Sequence, residues 1–290
     1  MIKTILAPAT GDDSDAATLA SALTIARQFG AHVDVLHVRI DAGAMALAMM
    51  MDAGSGAFTA GLIGQLEAET REREAKAADG FQRFCADAGL AVADAPTTGG
   101  SGGPSAAWHV ETGDEARWIA TYGLTADLII APRRRDALDD RAVVESALFG
   151  SGKPLLIPAD TAIAPPPSFA RIAIGWKATP QAARAVELAL PFLARAKEIV
   201  VLTVGEQTDE QPDRTDCLLR QLAWHGLVAS SSPLAPGPNG AAATLLSAAS
   251  DRADLLVMGG YGHSRVREWV FGGFTQTVLA DAPLPVLIVH

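Results

Sequence analysis

The chain has 290 residues, 49% hydrophobic and 19% charged, with 23 basic against 33 acidic side chains and a net charge of −10. That length fits two domains of ordinary size, and the apolar share is enough for packed cores, which sets disorder aside. The acidic balance argues against a nonspecific nucleic-acid binder and against adhesion to an anionic membrane surface.

In chain order, Ile2–Pro8 is a short apolar run, Ser14–Phe29 has helical spacing and Val33–Val38 is β-branched and apolar. The run at the amino terminus is too short for the core of a signal peptide. The longest apolar stretch, Gly43–Gly54, falls well below the ~20 residues of a membrane span, so a cytoplasmic protein is expected. An insertion follows at Asp41–Gly64, whose Met45, Met49, Met50 and Met51 read as cover for a core edge or as an adaptable contact surface. Gly64–Gly89 is a long amphipathic helix with a solvated Glu/Arg face. GGSGGPS, Gly99–Ser105, lacks the Gly-Lys-Ser/Thr of a phosphate loop and reads as a flexible connector. Asp127–Pro132 and Pro154–Pro158 are further apolar runs, followed by the proline-rich segment Pro158–Ala170.

The second half repeats the first. Ile5–Val38 has its counterpart in Ile172–Val204, ADLII at Ala126–Ile130 answers ADLLV at Ala253–Val257, and KPLLIP answers LPVLIV. Continuous apolar strands alternating with helices indicate a parallel sheet covered on both faces. The expected organisation is an α/β domain over residues 1–160, a linker over 161–169 and a second α/β domain over 170–290, each a doubly wound, five-stranded parallel sheet.

One segment of the second copy stands out. VMGGYGHSRVREWVFGGFT, Val257–Thr275, interrupts helix-like and strand-like runs with Gly259-Gly260, Gly262 and Gly272-Gly273. Two helix starts close in sequence present unpartnered amides and the positive ends of two dipoles, and glycine lets an oxyanion approach the main chain. In an open parallel sheet such a loop also lies beyond the carboxyl ends of the strands, where ligands bind. The glycines therefore read either as an anion cradle or as caps that let helices pack.

On these residues the whole chain resembles a tandem universal stress protein, two UspA-like domains in one polypeptide. Nucleotide-binding members carry G-x-x-G, nine residues, then G-[S/T]; here Gly259-x-x-Gly262 is followed by His263–Phe271 and Gly272. The resemblance implies a fold like that of adenine-nucleotide hydrolases, strand order 3-2-1-4-5, and ATP or another adenine nucleotide, with or without Mg, in the C-terminal domain only. It implies that Met258, Gly259, Gly262, Gly272 and Gly273 line the phosphate and ribose, with Val204 by the adenine. Gly260, His263, Phe274 and Thr275 complete the candidate set. Two departures stand out: Gly273 replaces the family's Ser or Thr, with Thr275 two places on, and Lys177 stands where binders end the first strand with aspartate. Lys177 can approach a phosphate as a point charge, and Trp176 can stack on a base or pack. The first copy has Ala9-Thr10-Gly11-Asp12 and Ala131-Pro132-Arg133-Arg134-Arg135 at the matching places, so its nucleotide site reads as degenerate.

Dedicated catalytic motifs are not expected: no H-E-x-x-H or C-x-x-C occurs, no G-x-S-x-G elbow joins a strand to a helix, and no metal site is expected. Cys85 and Cys217 read as incidental thiols; His32, His37, His109, His225 and His290 are scattered, and Asp127 and Asp254 sit at turns before the fourth strands. The resemblance implies a stress-response protein that binds or senses nucleotide, with at most slow hydrolysis. It also implies domain pairing within the chain, a homodimer as a further option, and protein partners. The alternative is a tandem scaffold that binds no nucleotide and acts through protein contacts.

Overall fold

A computed structural model describes residues 1–45, 47, 59–95, 103–131, 139–159, 168–205, 214–260 and 273–290. Half of the Met-rich insertion, the run of three arginines, most of the linker and Tyr261–Gly272 lie outside the described residues. Met1 aside, two compact units are formed, Ile2–Ser151 and Gly152–His290.

In the first unit the elements run β1 (Thr4–Pro8), α1 (Ser14–Phe29), β2 (His32–Arg39), α2 (Thr59–Ala88), β3 (Ala91–Val92), β4 (Ser105–Thr112), α3 (Glu115–Gly123), β5 (Leu128–Ile130) and α4 (Asp139–Glu145), then a π-helical turn at Ser146–Gly150. The strands are parallel, in the order β3-β4-β2-β1-β5. β4 begins on the last residue of the glycine-rich connector, a strand that the apolar-run criterion passes over. Only every second residue of SAAWHVET is apolar over part of its length, because one of its faces carries polar side chains.

The second unit contains β6 (Leu155–Ile157), β7 (Arg171–Gly175), α5 (Pro180–Leu193), β8 (Glu198–Val204), α6 (Thr215–Trp224), β9 (Ser230–Leu234), α7 (Gly240–Arg252), β10 (Leu255–Gly259), α8 (Gly273–Asp281) and β11 (Val286–Val289). The order is β6-β11-β10-β7-β8-β9, parallel except that β6 runs antiparallel to β11. Leu155–Ile157, read from sequence as the last strand of the first copy, pairs antiparallel with β11, with Leu155 opposite Ile288 and Ile157 opposite Val286. An apolar run marks a buried strand without marking which sheet it joins.

The strands β5, β6 and β11 are buried along their whole length, and Leu255–Met258 of β10 likewise. A strand buried on both faces needs helices on both faces. Each fully buried leucine, isoleucine or valine contributes about 1.5–3 kcal/mol. In the second unit α5 is started by Thr179, whose hydroxyl accepts from the Ala182 amide at 3.2 Å, with Pro180 at the first helical position. It buries Ala182, Ala185, Val186, Ala189, Phe192 and Leu193. In the first unit α1 ends on Gly30, left-handed at φ 61°.

The internal repeat extends to one polar device. Asp127 accepts from the Lys3 and Thr4 amides at 2.7 and 3.1 Å, while its own amide donates to the Thr4 carbonyl. In the second unit Asp254 accepts from the Ala170 and Arg171 amides at 3.2 and 2.9 Å, and its amide donates to the Arg171 carbonyl. Each carboxylate thus staples the start of the first strand to the start of the fourth, and Asp254 adds an ion pair with Arg171 at 2.7 Å. Neither aspartate is a mere solvating turn residue. Asp127→Ala and Asp254→Ala each leave two strand-end amides without their acceptor, so each is expected to lower stability by about 1–3 kcal/mol in urea melts.

Candidate functional site

In the second unit the sheet order reverses at β7. The chain leaves β7 toward β8 on one side, and β10 returns on the other. The carboxyl ends of β7, β8 and β10 are consequently neighbours, with Met258 opposite Gly175 and Gly175 opposite Leu202. A crevice at such a reversal is where open α/β sheets take ligands. The structure brings Trp176, Lys177, Val204, Met258, Gly259 and Gly260 to this one edge.

Their environments differ. Trp176 is half-buried and continues the ladder, its amide donating to the Leu202 carbonyl at 2.9 Å. Lys177 is exposed, at the start of a tight turn closed by the Thr179 amide on the Lys177 carbonyl at 2.7 Å. Val204 is half-exposed, and Gly205 after it adopts φ 137° while donating to the Leu234 carbonyl. The Met258 side chain is 3% exposed and belongs to the core, so only its backbone faces the edge.

Gly259 and Gly260 do not offer the open backbone that their sequence suggests. A Cβ on Gly259 would lie 2.4 Å from the Ala182 nitrogen and 2.6 Å from the Gln181 carbonyl carbon, because the first turn of α5 rests on β10 there. A Cβ on Gly260 would lie 2.7 Å from Ile288 Cδ1, and the Gly260 amide donates to the Val289 carbonyl at 2.8 Å. Packing alone accounts for glycine at both positions. Gly262, His263 and Gly272 lie outside the described residues. Gly273, Phe274 and Thr275 form the first turn of α8, where Gly273 and Phe274 are exposed and Thr275 is buried. Gly273 accepts from the Thr277 hydroxyl at 2.9 Å.

The first unit closes the matching edge with its own residues. Asp15 accepts from the Thr10 and Gly11 amides, both at 2.8 Å, and from the Thr10 hydroxyl at 3.1 Å. Burial pushes this carboxyl above its usual range, against the pull of those amides. Gly11 is left-handed at φ 81°, and a Cβ there would meet the Arg73 carbonyl, so α2 lies directly on the loop after β1. Next to it Arg39 pairs with Glu74, Nε to Oε2 at 2.7 Å. A groove of about 670 Å³ follows the seam between α1 and α2 from Gly11 to Ala88, with Leu19 and Phe84 in its walls. Its lining carries Asp12, Asp13, Asp15 and Asp87 together with Arg27, Lys76 and Arg83.

Comparison with known proteins agrees with this geometry. Residues 168–290 match the family model described as the Universal stress protein family. The C-terminal half is thus similar to that family along its whole length. A solved universal stress protein from Archaeoglobus fulgidus DSM 4304 aligns with TM-score 0.67 at 16% identity, over 99% of this chain and 95% of that one. A structure from Pseudomonas aeruginosa UCBPP-PA14 aligns with TM-score 0.57 at 16% identity, over 99% of this chain and 93% of that one. At such identity these likenesses show the fold alone, and they extend it over both halves. Among curated proteins none matches the chain.

Packing and ligand roles for the second unit's glycines separate experimentally. Gly259→Ala and Gly260→Ala are each expected to destabilise the protein by about 1–3 kcal/mol with no nucleotide present, read as a lower urea midpoint. Unchanged midpoints would reassign both glycines away from helix and strand packing.

Proposed function

We propose that this chain is a cytoplasmic stress-response protein whose C-terminal domain binds ATP or another adenine nucleotide, with or without Mg, at the carboxyl ends of β7, β8 and β10. The observation carrying this reading is the convergence of Trp176, Lys177 and Val204 at the reversal point of a sheet in the domain that the family model matches. The described residues fit the group in part. Lys177 presents an exposed ammonium on the side where phosphates would lie, and Trp176 and Val204 supply apolar surface for a base. The Gly260 amide is committed to Val289 and is not a phosphate donor, so Gly262, Gly272 and Gly273 are left as the proposed cradle. The first unit, closed by Asp15 and α2, supports the fold and takes no nucleotide in this manner. Binding then acts by mass action on the folded state, about 2.7 kcal/mol at a hundred times Kd, which suits sensing rather than rapid turnover.

A tandem scaffold without nucleotide is the second reading, favoured by the packing role of Gly259 and Gly260. Mass spectrometry of freshly purified, denatured protein for carried-over nucleotide, followed by a thermal-shift series with Mg-ATP, ADP, AMP and cyclic nucleotides, separates the two. The expected outcome is a rise of several degrees with at least one adenine nucleotide. Lys177→Glu should weaken that rise while leaving the melt without ligand unchanged. No shift with any nucleotide leaves the scaffold reading.

A further inference from the structure

The first unit carries a polar group that the nucleotide reading does not use. His32 and Asp34 stand two apart on β2 and so share one face of the sheet. β4 runs parallel beside it, with Ser105 opposite His32 and His109 opposite Leu36, which places Ser105 and His109 on that same face. The side chains meet: Ser105 Oγ is 2.8 Å from His32 Nδ1, His32 Nε2 is 3.4 Å from Asp34 Oδ1, and His109 Nε2 is 2.8 Å from that same oxygen.

Proton placement follows from the partners. An ionised carboxylate only accepts, so the His32 nitrogen facing Asp34 is the one that carries hydrogen. In the neutral ring Nδ1 is then bare, and the Ser105 hydroxyl donates to it. Burial pushes the Asp34 carboxyl up, but the hydrogen bonds from His32 and His109 outweigh it and hold Asp34 below its ordinary range. Tyr122 of α3 packs its ring against His109 and donates to Glu111 Oε1 at 2.7 Å. Burial and then Glu111 push the phenol up to about 12, so it stays neutral and is no rival nucleophile. His32 and Asp34 remain 23% and 29% exposed and Ser105 is half-buried, so solvent-borne reagents reach the group.

We propose that Ser105 is a nucleophile activated by His32 and Asp34, able to take an acyl group from esters with a good leaving group. A hydroxyl held by a base that a third group orients is the arrangement from which acyl transfer proceeds on unrelated folds. In the step, Ser105 Oγ bonds to the carbonyl carbon and its proton passes to His32 Nδ1. The bond to the leaving oxygen breaks, and His32 returns the proton to that oxygen. Asp34 is a positioning residue that keeps the hydrogen on Nε2. Ser105 pairs through its backbone with β2 on one side and β3 on the other, within regular ladders. Among the described residues no amide pair turned toward the hydroxyl is built there, and the proposed acylation is stoichiometric, its reversal by water slow.

The full chain treated with p-nitrophenyl acetate tests this by intact mass and peptide mapping. One acetyl group on Ser105 is expected, absent in Ser105→Ala. His32→Gln should slow labelling by roughly a hundredfold, the lower range for a positioned base. Asp34→Asn should slow it less, with partial return in Asp34→Glu, and added imidazole should restore labelling in His32→Gly, which a purely structural histidine would not show. The wild-type map decides even where a variant fails to fold: acetyl groups confined to lysines or the amino terminus overturn the proposal. So does equal labelling of Ser105 in folded His32→Gln.

Discussion

Once strands such as β5, β10 and β11 are apolar on both faces, helices must cover the sheets on either side, and neither face of those central strands is left for chemistry. What remains are the ends of the strands and the outer strands, whose composition is freer. The edge proposed for nucleotide in the second unit and the Ser105 group of the first occupy these two kinds of place. The first lies beyond the carboxyl ends of β7, β8 and β10. The second lies on the β2–β4 pair, where Asp34 and His109 replace apolar residues on one face while Val33 and Val35 keep the other in the core. Function is thus allotted by which surfaces the core can spare.

The two units solve the same folding problem with the same device and then part at the strand ends. Asp127 and Asp254 staple equivalent strand starts in equivalent registers, a repeat of hydrogen bonds and not only of hydropathy. At the opposite ends the loop after β1 folds onto Asp15 and beneath α2, whereas the loop after β7 leaves Lys177 in solvent. The long helix of the first unit explains the contrast. It rests its Arg73 carbonyl on Gly11 and so covers the loop after β1.

Much of the architecture was legible because buried parallel strands announce themselves as apolar runs. The antiparallel pairing of Leu155–Ile157 with β11 was not, since it is a tertiary choice and the run reads the same either way. β4 was missed because half of its side chains serve a polar face. That same polarity hid the Ser105 group. Ser105 and His109 are separated from His32 and Asp34 by some seventy positions in the sequence, and only the register His32 opposite Ser105 makes neighbours of them. The one local trace was His-x-Asp on a strand, a spacing that puts both side chains on one face.

Glycine shows most clearly why sequence legibility stops where it does. Bare backbone is demanded equally by an anion and by a neighbouring element, and the letters do not distinguish them. At Gly259 the neighbour is the first turn of α5, and at Gly260 it is Ile288. The two demands are not exclusive along the segment, however. Pressing β10 against the start of α5 sets the direction in which the chain leaves the sheet, and with it where the following glycines begin. Packing at Gly259 and Gly260 therefore fixes the end of β10, ahead of the glycines proposed as the cradle. The proposed site thus rests on two glycines whose own demand for bare backbone is met by packing.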